Sequence, residues 1–119
     1  MSAIYVPNIN QRQRIPAQAI DDIVCQIAEK FKPQKIILFG SYARRRPRPE
    51  SDVDLLVVMD TLLTETEQAV QILQNIEYHF GLDLLVRTPD ILMRRLELGD
   101  PFLRDIIAEG KTLYERSDS

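Results

Sequence analysis

The sequence predicts a small α/β (α+β) domain in which a small mixed β-sheet is flanked by helices. Some segments carry apolar residues at helical spacing, whereas others are short continuous runs of Ile, Leu and Val that are typical of buried strands. The two kinds of segment alternate along the chain, and this alternation favours a sheet covered by helices. With 119 residues, 45% of them hydrophobic and 28% charged, the chain has the size and composition of one globular domain.

The first two predicted elements are a helix and a strand. Apolar residues at helical spacing predict an amphipathic helix over residues 16–31. Pro16 suits its first turn, where the missing N–H would have no intrahelical partner, and Pro33 stops it. Lys35–Phe39 is then a short apolar run followed by Gly40, and this combination predicts a buried strand.

The middle of the chain predicts a short helix, a strand and a longer helix. Residues 41–45 are expected to begin a short helix, which two prolines then break. Val53–Met59, rich in Val and Leu, is the second predicted strand. Thr64 with Glu67 three residues later forms a capping box that opens a helix. Apolar spacing continues this helix toward Gly81, which is its predicted C′ residue.

The last third of the chain predicts one strand and two helices. Leu82–Val86 is the third apolar run and the third predicted strand. Pro89 permits a helix to start there. Asp100 before a proline resembles an N-cap, and it opens a final helix near residues 101–109 that Gly110 ends.

We expect a single folded domain over residues 16–115. Residues 1–15 are interpreted as a flexible N-terminal arm, with an edge strand considered at Ile4–Val6, and residues 116–119 as a tail. No apolar run approaches the roughly 20 residues that span a bilayer, and the N-terminus lacks the apolar core of a signal peptide. A cytoplasmic protein without a membrane partner is therefore expected. Cys25, the single cysteine, is expected to be partly buried and inert.

The candidate chemistry lies in three aspartates. Asp52 and Asp54 stand at the start of a strand, where residues two apart point to the same face, roughly 7 Å apart at their Cα atoms. Two adjacent carboxylates repel each other, and a hard divalent cation such as Mg²⁺ relieves that repulsion. Asp83, in an otherwise apolar strand, needs a partner or a metal and can reach the same cluster. Three carboxylates can hold two Mg²⁺ ions, although an Asp-x-Asp pair alone is more often a solvated turn.

A phosphate-binding turn is predicted at Gly40 and Ser41. Glycine lets the backbone approach a phosphate closely, free N–H groups at a helix start attract anions, and the serine hydroxyl adds one donor. A structural interpretation, in which Gly40 ends the strand and Ser41 caps the helix, uses the same N–H groups and is compatible with it.

These residues resemble a known family. The chain contains Gly40-Ser41 followed, after ten residues, by Asp52-Val53-Asp54. This pattern is similar to the signature of the DNA polymerase β-type nucleotidyltransferase superfamily. The spacing, the small size and the ending Leu103–Tyr114 resemble its minimal nucleotidyltransferases, over about residues 16–115. The resemblance implies the nucleotidyltransferase fold and an Mg²⁺-dependent transfer of AMP (NMP) from ATP or another NTP.

The resemblance also implies roles for the site residues. Gly40 and Ser41 would bind the triphosphate, Asp52 and Asp54 would ligate metal, and Asp83 would ligate metal and help to activate the acceptor hydroxyl. Arg44 opens a basic run that continues to Arg48 between the halves of the motif. This run is either a solvated loop or a contact for triphosphate, acceptor or an acidic partner surface. Arg44 is therefore a candidate nucleotide-binding residue.

The expected partner also follows from the resemblance. Minimal members are commonly paired with a HEPN-domain toxin, onto which they transfer AMP as the antitoxin. Two alternative functions also fit the sequence: a non-catalytic antitoxin that blocks its partner sterically, and nucleotidyl transfer to a small molecule or an RNA end. The net charge of −3 argues against a nucleic-acid partner, and the sequence leaves the oligomeric state open.

Overall fold

The structure is a computed structural model that describes residues 14–47 and 51–117. Its elements are, in chain order, α1 (Ala17–Phe31), β1 (Lys35–Phe39), a 3₁₀ turn (Gly40–Tyr42), β2 (Val53–Val58), α2 (Glu65–Gln74), β3 (Leu82–Arg87), α3 (Pro89–Glu97), α4 (Pro101–Glu109) and β4 (Lys111–Glu115). The strand considered at Ile4–Val6 lies outside the described residues. No helix in the described part has the length and apolar character needed to cross a membrane.

The strands form one mixed sheet in the order β3-β2-β1-β4. β2 and β3 run parallel, as expected for two strands joined through a helix, whereas β1 pairs antiparallel with both β2 and β4. The predicted small mixed sheet is confirmed, and the predicted bounds of its first three strands are correct to within one residue.

β4, the strand at the edge of the sheet, was not predicted from the sequence. Its five residues are mostly exposed, and only Leu113 and Tyr114 pack partly against the core. Such a segment lacks the apolar run that identifies a buried strand. It is a strand because its backbone pairs with β1, across a register shift between Ile36 and Ile37.

Helices cover both faces of the sheet and create two cores. On one face Val53, Leu55 and Val57 of β2 pack with α1 and α2. On the other face Leu56 and Val58 pack with residues of α3 and α4. Alternation along β2 therefore assigns residues 52, 54, 56 and 58 to the α3–α4 face. Because both faces of β2 are covered, its sequence is an almost unbroken apolar run.

The helix starts agree with the sequence prediction. Thr64 accepts a hydrogen bond from the Glu67 backbone N–H at 3.1 Å and opens α2. Asp100 accepts one from the Leu103 backbone N–H at 3.1 Å and opens α4, with a proline at the first helical position. Cys25, by contrast, is exposed rather than partly buried.

The predicted end of α2 at Gly81 is wrong, since the helix ends at Gln74. Side chains of α1 hold the following segment in a non-helical path. Gln26 accepts from the Glu77 N–H at 2.8 Å and donates to the Glu77 carbonyl at 2.9 Å, and Lys30 donates to the Asn75 carbonyl at 2.6 Å. These contacts satisfy backbone groups outside the helix, so Gly81 is free to lie beside the start of β2.

Candidate active site

Three aspartates lie at one end of the sheet, on the face covered by α3 and α4. The Cα of Asp54 in β2 is paired in register with that of Asp83 in β3. Asp52 stands two residues before Asp54 and belongs to the same face by strand alternation. The parallel pairing of β2 with β3 therefore places the three predicted aspartates on one face, at the same end of the sheet.

Electrostatic coupling between these carboxyls is visible at Asp54. Burial is the largest cause that raises its pKa, from 3.8 to about 6. The negative charge of Asp83, a side-chain hydrogen bond with Asp83 and the charge of Asp52 raise the pKa further. A carboxyl that is hard to ionise and lies between two other acids is a position where a cation is electrostatically favoured.

The donor set fits Mg²⁺, although the carboxylates are not assembled into a coordination shell. Oxygen ligands are what Mg²⁺ prefers, and three carboxylates supply them on one face. Within residues 14–47 and 51–117, no group of three or more acidic, His or Cys side chains has an arrangement ready to hold a metal ion. The carboxylate of Asp52 lies against Gly81, and that of Asp54 lies against Gly40.

Gly40 leaves room for the Asp54 carboxylate. It has a φ of +75°, and a Cβ atom built on it would overlap Oδ2 of Asp54. The predicted glycine is thus required for two reasons, a left-handed backbone and close approach of a carboxylate. Ser41 follows in the 3₁₀ turn, and its carbonyl accepts a hydrogen bond from the Arg46 N–H at 3.0 Å.

Gly81 lies against the Asp52 carboxylate and is not the helix end that was predicted there. A Cβ atom built on it would overlap Oδ1 of Asp52, with Cγ only 2.7 Å away. The Val53 N–H donates to the Gly81 carbonyl at 2.9 Å, so the backbone cannot easily move aside. The available signal was a glycine directly before the strand that contains Asp83.

Replacing Gly81 with alanine is expected to displace the Asp52 carboxylate and lower activity by about 10- to 100-fold, because misplaced charge weakens metal and substrate positioning. The apparent affinity for Mg²⁺ should fall as well. Initial rates across a Mg²⁺ titration measure both effects.

A double-mutant cycle provides the control for Gly81→Ala. If the substitution acts through Asp52, adding it to Asp52→Asn should cause little further loss of activity. Fully additive losses would contradict this route of action.

A cavity of about 590 Å³ opens beside the aspartates. Gly40, Arg44, Asp54 and Asp83 line one side of it, whereas Ser41 and Asp52 are not part of its lining. The opposite wall is a stripe of α4 with i, i+3, i+4 and i+7 spacing, composed of Phe102, Asp105, Ile106 and Glu109. This wall was not predicted from the sequence, since α4 faces the cavity only in the folded chain.

Arg44 is held at the rim of this cavity by α4. Its Nε lies 2.8 Å from Oε2 of Glu109, and both side chains are more than half exposed. The structure therefore brings the predicted Arg44 to the cavity that Asp54 and Asp83 line. The pairing with Glu109 spans 65 residues and could not be predicted from local sequence.

Asp54 should also destabilise the metal-free protein at neutral pH. A carboxyl whose pKa is raised in the folded state favours folding below its unfolded pKa of 3.8, and this contribution is lost as the pH rises through about 6. We expect Asp54→Asn to be more stable than wild type by about 1–2 kcal/mol at neutral pH in EDTA, allowing for solvent screening.

Urea unfolding in EDTA at about pH 4 and pH 7.5 tests this stability prediction. The difference between variant and wild type should shrink at the lower pH, where the Asp54 carboxyl of the folded wild type is largely protonated. A variant that is less stable than wild type at pH 7.5 would contradict the prediction.

Comparison with known proteins identifies relatives along most of the chain. A family model described as polymerase beta, nucleotidyltransferase matches residues 22–119. A protein of Methanocaldococcus jannaschii, named as a proposed protein adenylyltransferase, is 29% identical over 101 residues, covering 82% of this chain and 96% of the relative. A second protein of that organism with the same designation is 30% identical over 108 residues, covering 83% and 71%.

Solved structures share the fold. A crystal structure of a proposed nucleotidyltransferase from Sulfolobus solfataricus aligns with a TM-score of 0.59 at 19% identity, covering 83% of this chain and 79% of that chain. A crystal structure of a toxin-antitoxin with AMP-PNP aligns with a TM-score of 0.54 at 22% identity, covering 82% and 74%. At these identities the two matches establish the common fold.

Proposed function

The chain belongs to the polymerase β nucleotidyltransferase family, and from this premise we propose that it is a Mg²⁺-dependent enzyme that transfers AMP from ATP to a hydroxyl group on a partner protein. The single observation that carries the proposal is the in-register pairing of Asp54 with Asp83 beside a cavity that Gly40 also lines. The relatives named as proposed protein adenylyltransferases support the choice of AMP and of a protein acceptor.

The proposed reaction is an in-line displacement at the α-phosphorus of ATP. The acceptor oxygen forms a bond to this phosphorus while the bond to the bridging α–β oxygen breaks. The products are AMP esterified to the acceptor, pyrophosphate and one proton. The protein must hold the triphosphate, orient the hydroxyl and receive its proton.

Each predicted site residue has a role in this proposal. Gly40 and Ser41 seat the phosphates in the turn after β1, and Arg44 at the cavity rim supplies positive charge to them. Asp83 orients the acceptor hydroxyl and takes up its proton. Its position in register with Asp54, in the lining of the cavity, supports this role.

Asp52, Asp54 and Asp83 are the residues that would hold Mg²⁺, two ions in our proposal. The bound cation would neutralise negative charge on the phosphates and on the leaving pyrophosphate. In its absence burial raises the pKa of Asp54, and the negative charges of Asp83 and Asp52 raise it further.

We further propose that the acceptor belongs to a HEPN-type toxin and that this chain is its antitoxin. The likeness in fold to a toxin-antitoxin solved with AMP-PNP supports this partner class. The described residues form the sheet and the helices that cover it. In this proposal the acceptor hydroxyl belongs to another molecule, which approaches the cavity from solvent.

Label transfer tests the proposal. The protein is incubated with Mg²⁺, the product of the neighbouring gene and ATP labelled either at the α- or at the γ-phosphorus. Label on the partner from α-labelled ATP alone supports nucleotidyl transfer, whereas label from γ-labelled ATP would indicate a kinase.

Two other outcomes would replace the proposal with its rivals. One outcome is that the toxin is neutralised without becoming labelled, and that an Asp52→Asn/Asp54→Asn variant neutralises it as well. This outcome would indicate a steric antitoxin. Turnover with small hydroxylated molecules or RNA ends in the absence of a protein acceptor would indicate a different acceptor class.

A further inference from the structure

The cavity beside the aspartates has two chemically different walls. The first wall carries Asp54, Asp83 and Arg44, and phosphates and a cation fit there. The α4 wall carries two carboxylates, Asp105 and Glu109, next to the apolar side chains of Phe102 and Ile106. A free carboxylate on this second wall repels an anionic triphosphate, so an uncharged hydrogen-bond donor of the ligand fits this wall better than a phosphate does.

The two carboxylates of α4 differ in their availability. Glu109 is engaged with Arg44 at 2.8 Å. Asp105 has no hydrogen bond or ion pair in the part of the chain that the structure describes, and it lines the cavity. A carboxylate in this position can accept hydrogen bonds from a ligand donor such as an amino group.

An aromatic surface lies one helical turn from Asp105. The Phe102 ring packs edge-to-face on Phe39, with centroids 5.9 Å apart and an interplanar angle of 87°. Phe102 nevertheless remains 51% exposed, so part of its ring faces the cavity and solvent. Planar heteroaromatic rings stack on such surfaces.

We propose that this α4 wall is the adenine-binding part of the site, with Phe102 covering the base and Asp105 accepting a hydrogen bond from its 6-amino group. The inference rests on the proposed function and extends it, because it names the residues that select the base. Phe102 and Asp105 stand at positions i and i+3 of one helix, so both contact the same ligand.

Asp105 would then be a specificity residue rather than a general affinity residue. A purine that lacks the 6-amino group leaves the carboxylate without a donor, and sites built around a hydrogen bond discriminate strongly against such analogues. Phe102, in contrast, would contribute equally to every purine, because stacking does not depend on the substituent at position 6.

Equilibrium binding of ATP and of purine riboside 5′-triphosphate tests the proposal, with Mg²⁺ and without an acceptor. We expect wild type to prefer ATP by about 10-fold or more. Asp105→Ala should lower this preference to below about 2-fold by weakening ATP alone, and Asp105→Asn should retain part of it through its amide oxygen. Phe102→Ala should weaken both nucleotides by a similar factor of about 10.

Asp90→Asn is the matched control, since Asp90 is an exposed aspartate in the first turn of α3 and does not line the cavity. Equal affinity of wild type for the two nucleotides would overturn the proposal. So would an Asp105→Ala variant that loses affinity for both equally, since the carboxylate would then contact the sugar or act only through charge.

The outcomes also separate this inference from the proposed function. Absence of any nucleotide binding by wild type would overturn both. Transfer of AMP with an ATP preference that Asp105→Ala leaves unchanged would overturn the base assignment and leave the proposed function standing.

Discussion

Replacing Asp54 with asparagine is expected to reduce nucleotidyl transfer by a factor on the order of 10²–10³ or more, since it removes a carboxylate that would hold the cation on the phosphates. Asp54 connects three features of the site. It is paired with Asp83, it fills the space that Gly40 leaves, and it lines the cavity. Rates with labelled ATP at saturating Mg²⁺ measure the loss.

Asp60→Asn is the matched control for this experiment. Asp60 is an exposed aspartate just after the other end of the same strand, so the substitution makes the same change of charge far from the cavity. It should retain activity within about twofold, as expected for a surface substitution. Wild-type rates for Asp54→Asn would remove the basis of the catalytic proposal.

Activity and stability should change in opposite directions in Asp54→Asn. Asp54→Asn should be inactive and yet more stable than wild type in EDTA. A substitution that simply unfolds the protein lowers both properties, so opposite signs identify a residue whose charge is retained for activity at a cost in stability.

Replacing Gly40 with alanine is expected to lower activity by about 100-fold, because the new Cβ displaces the Asp54 carboxylate and the backbone at φ +75° is strained for any L-residue. The free energy of unfolding should fall by about 1 kcal/mol from the backbone strain alone. Transfer rates and urea unfolding together measure the two effects.

Gly99→Ala separates the two causes. Gly99 also has a positive φ, +86°, but a Cβ atom there would meet only the end of the Arg104 side chain, at 3.7 Å or more. This variant should lose a similar amount of stability and keep its activity. If both glycine variants lose activity equally, backbone strain rather than the Asp54 contact would account for the loss.

Much of the fold is encoded in short segments, and these were predictable. The apolar runs identify β1, β2 and β3, and Thr64 and Asp100 identify the starts of α2 and α4. Each of these signals acts over about four residues, through side-chain alternation or a capping hydrogen bond. The same local rule assigned Asp52 and Asp54 to one face of a strand.

Other features depend on contacts between distant segments. α2 ends early because the Gln26 side chain forms hydrogen bonds with the backbone of Glu77, 51 residues away. β4 is a strand because it pairs with β1. No local pattern carries this information, since the stabilising partner is absent from the segment itself.

The candidate site also combines local features with features that depend on distant segments. The sequence by itself determined which acids and which glycine stand at the strand ends, because residue type and strand periodicity are local properties. Only the tertiary structure decided that Gly81 makes room for Asp52, that Arg44 meets Glu109 and that α4 supplies the second wall of the cavity. Those relations require chain segments to be packed together, and packing depends on the whole set of long-range contacts rather than on any one segment.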